Sequence, residues 1–366
     1  MGMSNQSSNP LRSHSKSQTH SQPQSQPQSH SHSQHHSLPQ SQSQPPHSRP
    51  ATPTPYLVDS HCHLHDRELF TPEQAEEFLA AASRNQVRQV IVIGTDPTDS
   101  AVAQAFAAAH PDVYWTYGVH PEHAAQISAD TLELETKHLY KKIQDLDETE
   151  GLSEPLSRGT RSLAQRGLAA TTRGDGMVER VPRKNSQAPA SSAVLTPIAI
   201  GEIGLDYHYD GYDRVAQLGL FEQMLQLARD LALPVSLHIR GHEAFADAWS
   251  VLSNFPELTG VVHSFTGSKQ ELKRALSRDF YVGVNGLATY STLPLPPLEK
   301  MLLETDAPFL TPVPFRGTIN KPGYVRDIAA YLADKLGVAT EIIAEQTTKN
   351  VRELFNLRDP ILPEAE

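Results

Sequence analysis

Asp59-Ser60-His61-Cys62-His63-Leu64 follows the apolar pair Leu57-Val58, where a short strand would end. In extended backbone, residues two apart point to the same side, so His61 and His63 converge while Cys62 turns away. An H-x-H alone decides little in a chain with 18 histidines. Its position gives it weight, because the C-terminal strand ends are where β/α barrels place catalytic groups. Outward from this stretch the same arrangement recurs. Pro197-Ile198-Ala199-Ile200-Gly201-Glu202 is an apolar run ending in a carboxylate. Val235-Ser236-Leu237-His238 and Gly260-Val261-Val262-His263 end in histidine, and Met301-Leu302-Leu303-Glu304-Thr305-Asp306 ends in two acids. One such histidine is usually a packing residue bonded to a carbonyl. Five apolar runs that all deliver His or carboxylate to one rim need a partner that stabilises buried ionisable groups, and a metal supplies it.

From Tyr56 onward, short β-branched runs alternate with amphipathic stretches, the pattern of βα units. Strands are predicted at 57–60, 89–93, 113–118, 198–203, 235–239, 260–263, 280–285 and 301–304. Helices are predicted at 72–84, 100–110, 212–231, 242–254 and 269–277, with closing helices at 324–336 and 340–357. Eight strands with intervening helices specify an α/β fold, a (β/α)8 TIM-type barrel rather than an open doubly wound sheet. Two connections break the rhythm. Residues 149–196, rich in Ser, Ala, Arg, Gly and Pro, read as a disordered insertion, because a structureless loop of that length does not suit a compact scaffold. The connection 286–300, with Leu293-Pro294-Leu295-Pro296-Pro297, leaves no room for a full helix.

Residues 1–54 are almost entirely Ser, Gln, His, Pro and Asn, and cannot bury enough apolar surface to offset their ordering entropy. The expected organisation is a disordered tail at 1–54, a hydrolase barrel at 55–358 interrupted at 149–196, and a short tail at 359–366. The tail's histidines, among them His30, His32, His35 and His36, read as part of a solvated low-complexity segment. The formal net charge is −11. The first 54 residues hold three basic and no acidic residues, and 150–196 hold seven basic and four acidic ones. The remainder therefore carries 21 basic and 38 acidic residues, a net −17. So acidic a body argues against broad electrostatic wrapping of duplex DNA. The single Cys62 excludes an intramolecular disulfide and suits a reducing compartment. With no signal-peptide h-region and no membrane-length apolar run, an intracellular protein, cytoplasmic or nuclear and monomeric, is expected.

Four histidines (His61, His63, His238, His263) and two carboxylates (Glu202, Asp306) are a donor set for two divalent cations, Mg or Zn, with one carboxylate bridging. Cys62, with no base partner in sequence, reads as a small packing residue.

At these residues the chain resembles the TatD-type metal-dependent deoxyribonucleases, a branch of the amidohydrolase-like barrels. The resemblance spans about 57–357, interrupted by the insertion. Besides the opening motif it rests on Gly118-Val119-His120-Pro121, Gly201-Glu202-Ile203-Gly204-Leu205-Asp206-Tyr207 and His238-Ile239-Arg240. It continues through His263-Ser264-Phe265-Thr266-Gly267, Gly283-Val284-Asn285-Gly286 and Leu303-Glu304-Thr305-Asp306-Ala307-Pro308. By this resemblance His61, His63, Glu202 and Asp306 would hold one metal. Glu202 would bridge to a second, held by His238 and His263. Asp306 would also deprotonate the attacking water. His120, Asp206 and Arg240 would line the substrate pocket, with His120 or Arg240 near the phosphate. One departure is Asn320-Lys321-Pro322, where the family usually shows Asn-Glu-Pro, and it bears on substrate preference.

The reaction implied is hydrolysis of a phosphodiester in DNA. Two cations lower the pKa of a bound water and neutralise charge in the transition state. A barrel mouth admits a strand end more easily than continuous duplex, so 3′–5′ exonuclease action on single-stranded ends is expected. The alternatives are hydrolysis of a small ester or amide by the same ligands, or an interaction protein that kept the barrel and lost catalysis.

Overall fold

The computed structural model describes residues 55–149 and 196–361. The expected tail 1–54, all but the ends of the expected insertion 149–196, and residues 362–366 lie outside the described residues. β1 (Leu57–Cys62) pairs in parallel with β2 (Val87–Ile93), and β2 with β3 (Val113–Thr116). β4 (Ile200–Asp206), β5 (Val235–Arg240), β6 (Gly260–Val262), β7 (Tyr281–Val284) and β8 (Met301–Leu303) pair in chain order, also in parallel. Two parallel bridges, Tyr117 with Ile200 and Cys62 with Ala307, join the runs. Gly201 N donates to Tyr117 O and Asp306 N to His61 O, each at 2.8 Å. The ring of eight strands therefore closes, and the molecule is the expected (β/α)8 barrel.

β1 and β4 reach further than propensity suggests, to Cys62 and Asp206 rather than residues 60 and 203. Neighbouring strands carry these ends in register, Cys62 opposite Val92 and Asp206 opposite Arg240. Pairing, not local sequence, extends the strands into the rim.

Helix starts follow local chemistry. α1 (Pro72–Arg84) opens on a Thr71/Gln74 capping box with Pro72 in its first turn. α2 (Pro97–Ala109) begins at Pro97, ahead of the predicted Ser100, because Asp96 accepts from the Asp99 N–H. No helix is predicted at 129–149, yet α3 (Ala129–Thr149) forms there, burying Leu132 and Leu139, seven residues apart, on one face. α4 (Arg214–Leu231) is capped by Asp213, and α5 (His242–Leu252) follows β5 directly. α6 (Lys269–Ser277) opens on a Ser268/Glu271 capping box. As expected, no α-helix lies between β7 and β8, only short 3-10 turns at Gly286–Thr289 and Leu298–Lys300.

α7 (Val325–Leu336) and α8 (Thr340–Phe355) complete the chain of helices. Thr348 Oγ1 donates to Tyr56 O, and Asn350 Nδ2 to Met301 O, so α8 is tied to the N-terminal ends of β1 and β8. Its Val351 and Phe355 join a cluster with Val58, Ile91, Tyr114, Val261, Tyr281 and Leu302, which come from six different strands. That cluster fills the barrel below the rim and leaves the C-terminal mouth free for polar groups. Beyond α8 the segment expected as a tail from 359 still makes contacts: Asp359 pairs with Arg352 at 2.6 Å, and Ile361 N donates to Asp112. No helix among the described residues is long and apolar enough to cross a membrane.

Candidate metal centre

Beyond a bulge in β1, alternation sends His61 and His63 to one side and Cys62 to the other. Asp59 precedes that bulge, opposite Val90, and is fully buried. It accepts from Thr305 N (2.9 Å), Thr305 Oγ1 (2.6 Å) and His61 N (3.3 Å), which ties β1 to the residue preceding Asp306. Asp306 itself has φ 58°, a left-handed conformation that Asp tolerates better than most residues. This turn brings its carboxylate back over the mouth, Oδ1 lying 3.7 Å from His61 Nε2 and 3.6 Å from His63 Nε2.

Glu202, the third residue of β4, sits at the centre. Its Oε1 lies 2.7 Å from His238 Nδ1 and 2.8 Å from His263 Nε2. Its Oε2 lies 3.4 Å from His61 Nε2 and 3.8 Å from His63 Nε2. One carboxylate thus divides its two oxygens between two histidine pairs, the geometry a bridging ligand needs. The structure brings together all six residues expected as ligands.

The electrostatics follow from this packing. Burial alone would raise the Glu202 carboxyl, but His263, His61 and the hydrogen bonds of His238 and His263 overcome it and hold it well below the usual range. Burial likewise opposes Asp306, and the bond from His63 with the charges of His263 and His61 brings it down to about 2. Both acids are ready-made anions at neutral pH. His61 goes the other way: burial first, then the neighbouring His263, lowers it. Its ring stacks on His263 at 3.8 Å between centroids, 9° from parallel.

The residues fit divalent metal ions. Both ring nitrogens of His61 are buried without a hydrogen-bond partner, an arrangement that costs free energy unless something else binds them. The donor atoms of His61, His63 and Glu202 lie within 4.8 Å of one another, as do those of His61, His263 and Asp306, and those of His120, Glu202 and His238. Imidazole and carboxylate suit a non-redox divalent ion, and Cys62 is fully buried away from them.

The three residues expected to line the substrate pocket have distinct places. His120 is closer to the centre than a pocket wall, with Nε2 3.8 Å from Glu202 Oε1 and its ring 4.5 Å from that of His238. Burial, then His238, pushes it down to about 3, so it is a neutral nitrogen donor. Asp206 turns Oδ2 to His238 Nε2 at 3.1 Å, while Oδ1 accepts from His208 N. Arg240 is partly exposed, its guanidinium 5.0 Å above the Tyr209 ring and 3.9 Å from Asp206.

Other groups were not singled out from sequence. Glu304, fully buried, accepts from Ser264 N through Oε1 at 2.5 Å and lies 3.7 Å from His263 Nδ1. Gly283 makes this possible, since a Cβ there would stand 2.3 Å from Glu304 Oε2. His65 Nε2 lies 2.9 Å from Asp99 Oδ1, and Asp99 Oδ2 accepts from Thr95 N and Oγ1. The spacing that pairs His61 with His63 continues in sequence to His65, the available signal for that residue. Glu304 ends the same apolar run as Asp306, but nothing local points it to His263 or Ser264, and nothing local marks Asp99.

Comparison with known proteins gives a consistent picture. The family model described as TatD related DNase matches residues 58–356. A relative from Pantoea ananatis named 3′-5′ ssDNA/RNA exonuclease TatD is 31% identical over 299 residues, covering 77% of this chain and 93% of the relative. The Escherichia coli K12 protein named uncharacterized metal-dependent hydrolase YcfH is 29% identical over 312 residues, covering 82% and 96%. Among solved structures, the TatD homologue YjjV of Escherichia coli K12 superposes with a TM-score of 0.59 at 25% identity, covering 82% of this chain and 98% of that one.

Proposed function

The chain belongs to the TatD-related DNase family of metal-dependent hydrolases, and from that premise we propose that it hydrolyses phosphodiester bonds, removing nucleotides from 3′ ends of single-stranded DNA. The observation that carries this reading is the division of the Glu202 oxygens between His238/His263 and His61/His63. In this reading His61, His63, Glu202 and Asp306 would hold one divalent cation, and Glu202, His238 and His263 a second, with His120 nearby. When bound, such ions supply Lewis-acid charge that lowers the pKa of water and neutralises a phosphate.

The chain's own residues do the rest. Asp306, held ionised and placed at the open side of the cluster, accepts the proton of the attacking water on its carboxylate. Glu202 keeps the two histidine pairs at a fixed separation. Asp206 holds His238 by Nε2, leaving Nδ1 to face the centre. Arg240, at the mouth, meets the phosphate of the incoming strand. The name of the Pantoea relative supports a single-stranded nucleic-acid substrate.

A panel assay tests the reading. Purified protein with Mg, Mn or Zn is offered a 3′-ended single-stranded oligodeoxynucleotide, the same oligonucleotide blocked at its 3′ end, and small carboxylic esters and cyclic amides. Loss of 3′ nucleotides from the free end alone is the expected result. Hydrolysis confined to the esters or amides would replace the nuclease reading with that of a small-substrate hydrolase.

A further inference from the structure

We infer that Phe309 and Tyr209 are stacking platforms for the two nucleobases flanking the scissile phosphate; this deepens the nucleolytic reading above and rests on it. Large apolar side chains normally leave water, because burying their surface is favourable. Phe309 is nevertheless 51% exposed and Tyr209 66% exposed. Both lie at the barrel mouth. The Phe309 ring stands 6.5 Å from that of His63, and Tyr209 carries the Arg240 guanidinium that approaches Asp206, itself in contact with His238.

The two rings belong to opposite walls. Phe309 follows β8, next to β1 in the closed ring, whereas Tyr209 follows β4 and pairs with β5. Glu202 stands between them, so a strand whose phosphate reaches the centre presents one base toward each ring. Phe309 is exposed but not loosely held. Its N–H donates to Asp306 O at 2.8 Å, and its carbonyl accepts from Nδ2 of the fully buried Asn320, which also bonds Thr305 O. A ring fixed at its backbone and open at its face suits stacking, because little freedom is lost on binding. Base–aromatic stacking tolerates any sequence, which suits an enzyme that works along a strand. Arg240 on Tyr209 adds a cation beside the second base.

The test uses the metal-loaded full chain and two single-stranded oligodeoxynucleotides, one normal and one with abasic residues at its last two 3′ positions. KM is measured for both, for wild type and for Phe309→Ala, Tyr209→Ala and Phe309→Trp. The wild type is expected to prefer the normal oligonucleotide, and each alanine variant to shrink that preference about tenfold, within the ~5- to ~150-fold range of one stacked base. Phe309→Trp restores it. A second readout is binding: a phosphorothioate oligonucleotide with 2-aminopurine at either position loses fluorescence on binding wild type and keeps it with the matching alanine variant. Metal content should be the same in all four proteins. Alanine variants that retain the full preference and the quenching would overturn the inference while leaving nuclease activity standing. A wild type that cleaves neither oligonucleotide would overturn both.

Discussion

Glu202 Oε1 lies 2.7 Å from Nδ1 of His238, and on the far side of the same ring Nε2 lies 3.1 Å from Asp206 Oδ2. The imidazole is therefore held between two carboxylates, one at the centre of the site and one behind it. A metal-binding histidine is oriented by the partner of its other nitrogen, and loss of that partner typically costs 10- to 100-fold in affinity or activity. Gln217, bonded to both the N–H and the carbonyl of Asp206, fixes the outer carboxylate in turn.

Asp206→Asn should accordingly weaken metal binding about 10- to 100-fold while leaving the fold intact. Titration of the metal-stripped variant with zinc against a competing chelator measures this. Wild-type affinity would show that Asp206 serves the substrate rather than His238.

Asp306→Asn removes a negative charge and a proton acceptor but keeps an oxygen. Activity on an oligonucleotide should fall by about 10²–10⁴-fold, and bound metal should fall less. If Asp306 merely capped the turn before Pro308, Asn would cap nearly as well and turnover would barely change. Turnover and metal content measured together on this variant separate the two roles.

Gly283→Ala places a methyl group 2.3 Å from Glu304 Oε2 inside the barrel wall. The fully buried Glu304 cannot yield without releasing Ser264 N and moving from His263. The variant should lose about 1–3 kcal/mol of stability, as overpacked cores do, and hold less metal. A denaturant midpoint equal to that of wild type would show that Glu304 has room to shift.

Asp99 gives a pH dependence. Burial would raise its pKa, but the bond and charge of His65 and the bonds from Thr95 hold it below the usual range. A carboxylate depressed in the folded state stabilises above its unfolded pKa of about 3.9, and that contribution is lost as pH falls through the folded value. Asp99→Asn should therefore cost about 1.5–3 kcal/mol at pH 7, with the gap to wild type narrowing as pH drops below ~4. Urea unfolding at both ends of that range measures the gap. The same gap at each pH would mean that the charge of Asp99 contributes nothing.

The barrel and its six central residues were legible because each lies at the end of an apolar run, where alternation and strand position suffice to aim a side chain. His61 and His63 follow from spacing alone. Glu202, His238, His263 and Asp306 follow once all strand ends share one rim. The supporting carboxylates were not legible in the same way. Glu304 depends on the missing Cβ of Gly283, and Asp99 on His65, contacts set by which strands become neighbours. α3 is not legible in the sequence because its apolar residues are diluted by charge, with Leu134 exposed between the buried Leu132 and Leu139. Nothing in the sequence sets Phe309 apart, and only the fold shows it exposed.

Binding of divalent metal by the Glu202 cluster should be required for cutting nucleic acid. Its most direct measurement is 3′ degradation of a single-stranded oligodeoxynucleotide by wild type and Glu202→Ala, each first stripped by a chelator and then resupplied with Mg, Mn or Zn, with bound metal quantified in the same samples. Wild-type activity is expected to vanish on stripping and to return with metal. In Glu202→Ala, lost metal and a rate at least about a hundredfold lower are expected, the scale of losing even an outer partner of a metal ligand. Wild-type turnover in Glu202→Ala, or degradation that survives complete removal of metal, would contradict it.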